Sequence, residues 1–230
     1  QEGSIFTDTT ISAGNSHTCV ILEGNALHCW GRGLFGSLGT NSTDMDNVSS
    51  ETEVDFPPLR HPVEVAAGGF HTCAILDDGS VSCWGWNNRG QTGVDSFDWQ
   101  NTGSDGQAMA TNVLIPTQVD LGNHTAVEIT AGYKHTCAIL DDGSPVCWGD
   151  NSHGQLGDGL GDDPSESFVW EMNMSYVSIP VDRKVVAIEA GSDHTCAILD
   201  DGSLVCWGVG NAGRLGDGGH EEFRYTPFEV

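Results

Sequence analysis

Four stretches of the 230-residue chain place a histidine, two cysteines and a tryptophan at one constant spacing. They read HTCVILEGNALHCWG (His17–Gly31), HTCAILDDGSVSCWG (His71–Gly85), HTCAILDDGSPVCWG (His135–Gly149) and HTCAILDDGSLVCWG (His194–Gly208). These residue types could do several kinds of chemistry. Histidine with cysteine is a zinc ligand set, but a zinc site needs about four such ligands converging on one point. A cysteine pair could cycle between thiol and disulfide, yet an activated thiolate wants a C-x-x-C pair at a helix N-terminus, and here nine residues separate the two. Histidine could also serve as a general base or a pH sensor. The alternative is that all of them belong to the framework of a repeated unit.

The residues between the cysteines decide how the pairs are used. TCAIL (Thr72–Leu76) and SVSCW (Ser80–Trp84) alternate as strands around Asp77-Asp78-Gly79. A three-residue hairpin loop takes a type I turn followed by a left-handed residue, and glycine enters that conformation freely. Gly79, Gly143 and Gly202 hold this position, and in the first copy it falls to Asn25, a residue tolerant of positive φ. Pairing symmetric about Asp78 sets Ile75 opposite Val81 and Cys73 opposite Cys83. The same register joins Cys19 to Cys29, Cys137 to Cys147 and Cys196 to Cys206. Of the 105 pairings open to eight cysteines, the hairpin selects one per unit; eight reduced, buried cysteines are the competing reading.

Disulfides at this density belong to an oxidising compartment and predict a secreted protein. Four sequons outside the hairpins point the same way: Asn41, Asn47, Asn123 and Asn173 are the candidate glycosylation sites. The first residues hold no basic-then-apolar leader, so for an exported chain Gln1 is expected to be a mature N-terminus.

Before each histidine stands an apolar alternation ending in Ala-Gly: VEVAAG (Val63–Gly68), VEITAG (Val127–Gly132) and VAIEAG (Val186–Gly191), with TTISAG (Thr9–Gly14) in the first copy. A proline-led edge segment, PTQVDL (Pro116–Leu121), precedes the third. Four short strands, repeated, form a β-propeller blade. The 31 glycines and 8 prolines suit many short strands and tight turns. The expected fold is therefore all-β: a single propeller-type repeat domain over 1–230, with four units of about four antiparallel strands at 1–56, 57–115, 116–179 and 180–230. The first cysteines are spaced by 54, 64 and 59 residues, so the surplus is expected in loops at Thr40–Asp55, Val94–Asn112 and Asp158–Ser178.

The order Ala-Gly-x-x-His-Thr, Asp-Gly, Trp-Gly resembles the regulator of chromosome condensation repeat family. The tails match as well: WGRGLFGSLG (Trp30–Gly39), WGWNNRGQTG (Trp84–Gly93), WGDNSHGQLG (Trp148–Gly157) and WGVGNAGRLG (Trp207–Gly216). The resemblance covers nearly the whole chain outside the three variable segments. It implies a β-propeller, and a packing and hydrogen-bonding role for His17, His71, His135 and His194. Family rings of known shape usually have seven blades, and the cysteine pair is not part of the common pattern. The end TPFEV (Thr226–Val230) matches the start of a unit (IPTQV, Ile115–Val119), whereas the N-terminus begins midway through one. The two ends are therefore expected to pair, as a strand closure within one chain or head to tail between chains.

Trp30, Trp84, Trp148 and Trp207 each follow a cysteine, so they point to the opposite face and pack between blades. Trp86, Trp99 and Trp170 lie outside the shared pattern and are the candidates for contact with a partner. DGLGDD (Asp158–Asp163) and DGGHEE (Asp217–Glu222) could collect calcium, though neither has EF-hand spacing; no other metal or cofactor is expected. With 33 acidic and 8 basic residues the net charge is −25. Nucleic acid and membrane surfaces are thereby disfavoured and cationic partners favoured; no run approaches the ~18 apolar residues of a bilayer span, so no membrane insertion is expected. The family's nuclear role, nucleotide exchange on a small GTPase, is disfavoured by the disulfides and the charge. No Gly-x-Ser-x-Gly, His-Glu-x-x-His or phosphate loop occurs. The function expected is non-enzymatic binding of a protein or glycan through inter-blade loops; the alternative is an extracellular assembly of copies of the chain itself.

Overall fold

The structure, a computed structural model, describes residues 10–43, 47–57, 59–95, 97–102, 108–160, 174–179, 182–218 and 222–230. The first blade is a meander of β1 (Ile11–Ala13), β2 (His17–Ile21), β3 (Leu27–Arg32) and β4 (Asn47–Glu53). The second contains β5 (Pro62–Ala67), β6 (His71–Leu76) and β7 (Val81–Gly85). A small hairpin of β8 (Phe97–Thr102) and β9 (Ala108–Ala110) then interrupts it before its outer strand, β10 (Val113–Gln118). The third blade is β11 (Ala126–Ala131), β12 (His135–Leu140), β13 (Pro145–Gly149) and β14 (Ser175–Tyr176). The fourth is β15 (Val185–Ala190), β16 (His194–Leu199), β17 (Leu204–Val209) and β18 (Phe223–Glu229). All pairs are antiparallel. No helix among the described residues is long and apolar enough to cross a membrane.

Turn chemistry explains the central hairpins. Gly79, Gly143 and Gly202 sit at φ 78°, 85° and 84°, and Asn25 at 62°. Their N–H groups donate to the carbonyls of Leu76, Leu140, Leu199 and Leu22. In that register Cys19 faces Cys29, Cys73 faces Cys83, Cys137 faces Cys147 and Cys196 faces Cys206. Each pair is a disulfide across ten residues of sequence, contributing about 3 kcal/mol by restricting the unfolded chain.

Strand alternation gives each blade two apolar faces, and consecutive blades stack one against the other. Cys19, Ile21, Leu27 and Cys29 of the first pack on Val65, Ala74 and Trp84 of the second. Cys73, Ile75, Val81 and Cys83 pack on Ile129, Ala138 and Trp148 of the third. Cys137, Ile139 and Cys147 pack on Ile188, Ala197 and Trp207 of the fourth. Among the described residues each of these cores joins neighbouring blades, and none joins the fourth to the first.

The variable segments are not loops throughout. Asn47–Glu53, inside Thr40–Asp55, is the outer strand of the first blade, and Ser175–Tyr176, inside Asp158–Ser178, is that of the third. PTQVDL also shifts: Val113–Gln118 pairs with β7 and completes the second blade, so the sheets are offset from the repeat units. TPFEV takes the equivalent place in β18, against β17. Both terminal blades thus already have four strands of their own. Among the described residues β18 and β1 do not pair: each is hydrogen-bonded within its own blade, to β17 and β2.

Candidate functional site

The repeated histidines face the next blade. The His17, His71 and His135 Nε2 atoms lie 2.7, 2.9 and 3.0 Å from the hydroxyls of Thr72, Thr136 and Thr195. Those hydroxyls donate their one proton elsewhere, to the carbonyls of Ser37, Gln91 and Gln155. The histidine must therefore be the donor, which fixes the neutral Nε2–H tautomer. The same carbonyls accept the indole N–H of Trp84, Trp148 and Trp207 at 3.0, 3.1 and 2.9 Å. One carbonyl, one hydroxyl, one indole and one imidazole form a lock at every junction.

Glycine makes room for it. A Cβ on Gly68 would meet the His71 ring and the Gly132 carbonyl at 2.6 Å, and one on Gly132 the Gly191 carbonyl at 2.6 Å. This is the reason for the Ala-Gly before each histidine. Burial pushes His17 down to about 4, His71 to about 3 and His135 to about 4, and it lowers His194 as well. A His–Thr pair resembles the base and nucleophile of a hydrolase, but here the donor roles are reversed and Thr72, Thr136 and Thr195 are fully buried. The lock is framework, not a catalytic dyad.

The framework carries an aromatic cluster at the end of the blades opposite the Asp-Gly turns. Trp86 stacks on Phe35 at 5.3 Å and meets Phe70 edge-on at 5.8 Å. Phe70 in turn meets Tyr133 at 5.8 Å, and Lys134 Nζ stands 5.1 Å from the centre of the Trp86 ring. Phe35 comes from the first blade, Phe70 and Trp86 from the second, Tyr133 and Lys134 from the third. All five are half-buried. Trp86 was expected at a partner surface, whereas its four companions show no sequence signal, since each differs from its repeat counterparts. Trp99 lies on β8, and Trp170 lies outside the described residues.

Of the sequons, Asn41 and Asn123 are exposed, Asn47 begins β4, and Asn173 lies outside the described residues. The acidic segments considered for calcium are partly outside them too. Asp158 accepts from Asn151 and the Leu160 N–H, and Asp217 accepts from Arg224 at 2.9 Å. A recurrent ion pair was not foreseen: Arg60 spans Asp77 and Asp78, and Arg183 spans Asp200 and Asp201. In the third blade His124 takes that place, 2.9 Å from Asp141, and it is the one His/Asp group among the described residues close enough to hold a metal. The spacing of 17 residues from cation to first aspartate was the available signal.

Four antiparallel four-stranded blades stacked through a repeated lock define a β-propeller-type repeat protein. The chain belongs to the family of the Regulator of chromosome condensation (RCC1) repeat, with one model matching residues 9–37, 63–91, 126–155 and 185–214 and another 25–75, 78–139 and 142–198. It is 27% identical to the Ultraviolet-B receptor UVR8 of Arabidopsis thaliana, over 90% of this chain and 54% of the receptor. Prp20p from Saccharomyces cerevisiae, a protein with binding properties to Gsp1p and histones, shares the fold with a TM-score of 0.77 at 23% identity, covering 96% of this chain and 49% of Prp20p. Human WBSCR16 does so with 0.78 at 16%, covering 99% of this chain and 56% of that one. The chain spans about half the length of these relatives.

Proposed function

We propose that the chain is a secreted, non-enzymatic scaffold that recognises a protein through the aromatic cluster of Phe35, Phe70, Trp86, Tyr133 and Lys134. One observation carries this reading: at the three internal junctions the repeated His, Thr and Trp are spent on one another and the Cys on disulfides, while residues that do not repeat gather, half-exposed, across three blades. Aromatic side chains with a neighbouring cation are the usual anchors of a protein interface. Family membership agrees, since Prp20p is a protein binder. The net charge of −25 favours a partner whose rim is basic. Four disulfides and two exposed sequons support an extracellular setting.

The test immobilises the disulfide-intact protein beside its Trp86→Ala and Lys134→Ala variants and exposes them to the secreted proteins of the source organism and to a glycan panel. Proteins held by the parent and lost by both variants, with unchanged melting temperatures, are the expected result. Identical capture by all three overturns the reading. Binding of glycans alone, lost with Trp86, makes the ligand a carbohydrate instead.

A further inference from the structure

In two blades an arginine standing before the first strand reaches the paired aspartates of the central turn. Arg60, before β5, lies 3.8 Å from Asp77 Oδ1 and 2.8 Å from Asp78 Oδ2. Arg183, before β15, lies 3.5 Å from Asp200 Oδ1 and 2.7 Å from Asp201 Oδ2. The third blade keeps the aspartates and replaces the arginine: His124, before β11, places Nδ1 2.9 Å from Asp141 Oδ1 and 4.0 Å from Asp142 Oδ2. All three blades thus aim the same two carboxylate oxygens at one place, and the second and fourth fill it with a cation. Arginine brings that charge permanently and has no lone pair to offer. Imidazole offers a lone pair to a metal ion, and the ion then brings the charge.

The backbone holds this ligand set in place. The Ser144 N–H occupies Asp142 Oδ1 at 2.8 Å, which leaves Oδ2 for the cation. The Asp141 N–H donates to the Thr125 carbonyl at 2.9 Å and ties the turn to the residue after His124. The three ligand atoms lie within 4.8 Å of one another; His124 is half-buried and both aspartates are exposed. A tetrahedral zinc ion with bonds of about 2.0–2.2 Å sets its ligands roughly 3.3 Å apart, and the two His–Asp separations fall on either side of that value. The second blade shows arginine and metal excluding each other: His61 Nδ1 stands 3.7 Å from Asp77 Oδ2, but the Arg60 guanidinium already takes both aspartates. Lys184 of the fourth blade faces Asp142 from the neighbouring sheet, and a Cβ on Gly143 would meet its side chain at 2.9 Å. Its charge opposes a second cation, so the binding expected is moderate.

We propose that His124 Nδ1, Asp141 Oδ1 and Asp142 Oδ2 bind a divalent transition-metal ion of the zinc class. The imidazole selects such an ion over calcium and magnesium, which take oxygen ligands. The ion does in the third blade what arginine does in the second and fourth: it neutralises the aspartate pair and fastens the turn to the segment before β11. Three protein ligands leave a fourth position for water.

The experiment titrates the disulfide-intact protein with zinc chloride in a calorimeter, in about 0.15 M sodium chloride with excess magnesium to occupy bare carboxylates. Saturable uptake of one ion per chain is expected. His124→Arg copies the residue of the other two blades, so it should lose zinc binding while keeping the melting temperature of the metal-free parent. Asp141→Asn should lose it as well. Zinc should raise the melting temperature of the parent and leave that of His124→Arg where it was. In histidine NMR spectra zinc should move the His124 ring nitrogens and leave His71 and His135, buried in the lock, in place. A parent without saturable uptake overturns the proposal. So does uptake that either variant retains, or zinc that shifts another histidine ring in place of His124.

Discussion

A threonine hydroxyl at each blade junction accepts from a histidine and donates to a carbonyl, so removing it strands two buried partners at once. Thr136→Val keeps the shape but leaves His71 Nε2–H without an acceptor and the Gln91 carbonyl with only the Trp148 indole. An unsatisfied buried donor costs about 1–3 kcal/mol. Urea denaturation of Thr136→Val should show a loss in that range with an unchanged slope; a loss within error would mean that the lock is incidental. The same neutral histidines make stability depend on pH. His17, His71 and His135 are held well below the ordinary 6.5. The unfolded chain therefore binds protons between pH 6.5 and about 4 while the fold does not. Their contribution is complete above pH 6.5 and is lost as pH falls toward 4. The melting temperature should be lower at about pH 5 than at about pH 7, in salt that screens the acidic surface; an equal or higher value would contradict the assignment. His124 moves the other way, raised first by its hydrogen bond to Asp141. In a histidine NMR titration it should protonate above the ordinary value while His71 and His135 stay neutral.

At the scale of the element, the central hairpin is specified by its own turn. Two equivalent glycines separate the components of that specification. Gly79 and Gly202 share positive φ, but a Cβ on Gly79 would lie 2.6 Å from Thr125 Cβ of the next blade, and one on Gly202 would meet nothing within 4 Å. Gly202→Ala should therefore cost only the left-handed backbone, about 1 kcal/mol. Gly79→Ala should cost measurably more in the same thermal melts. Equal losses would show that the turn alone matters and that blade stacking tolerates the intrusion. The hairpins were legible because turn residue, strand alternation and cysteine spacing all agree within 15 residues. The outer strands were legible only in part: VLIPTQ and FRYTPFE share the proline-led pattern of IPTQV and TPFEV, whereas NVSSETE and SY share none, and all four have one hydrogen-bonded neighbour each. The aromatic cluster was legible only at Trp86. Phe35, Phe70, Tyr133 and Lys134 come from three blades and meet through tertiary stacking that no local spacing encodes.

For the whole molecule, 33 acidic against 8 basic residues leave a charge of −25 that opposes the compact state by self-repulsion. Repulsion between exposed charges reaches about 30 Å at 0.01 M salt and only about 3 Å at 1 M. The contacts that hold the blades together, apolar faces and the buried His–Thr–carbonyl lock, have little such dependence. Salt should therefore stabilise the fold: the melting temperature of the disulfide-intact protein should rise as sodium chloride goes from about 0.02 M to about 0.5 M. A melting temperature that falls over that range would mean that surface ion pairs such as Arg60 with Asp78 and Arg183 with Asp201 outweigh the repulsion.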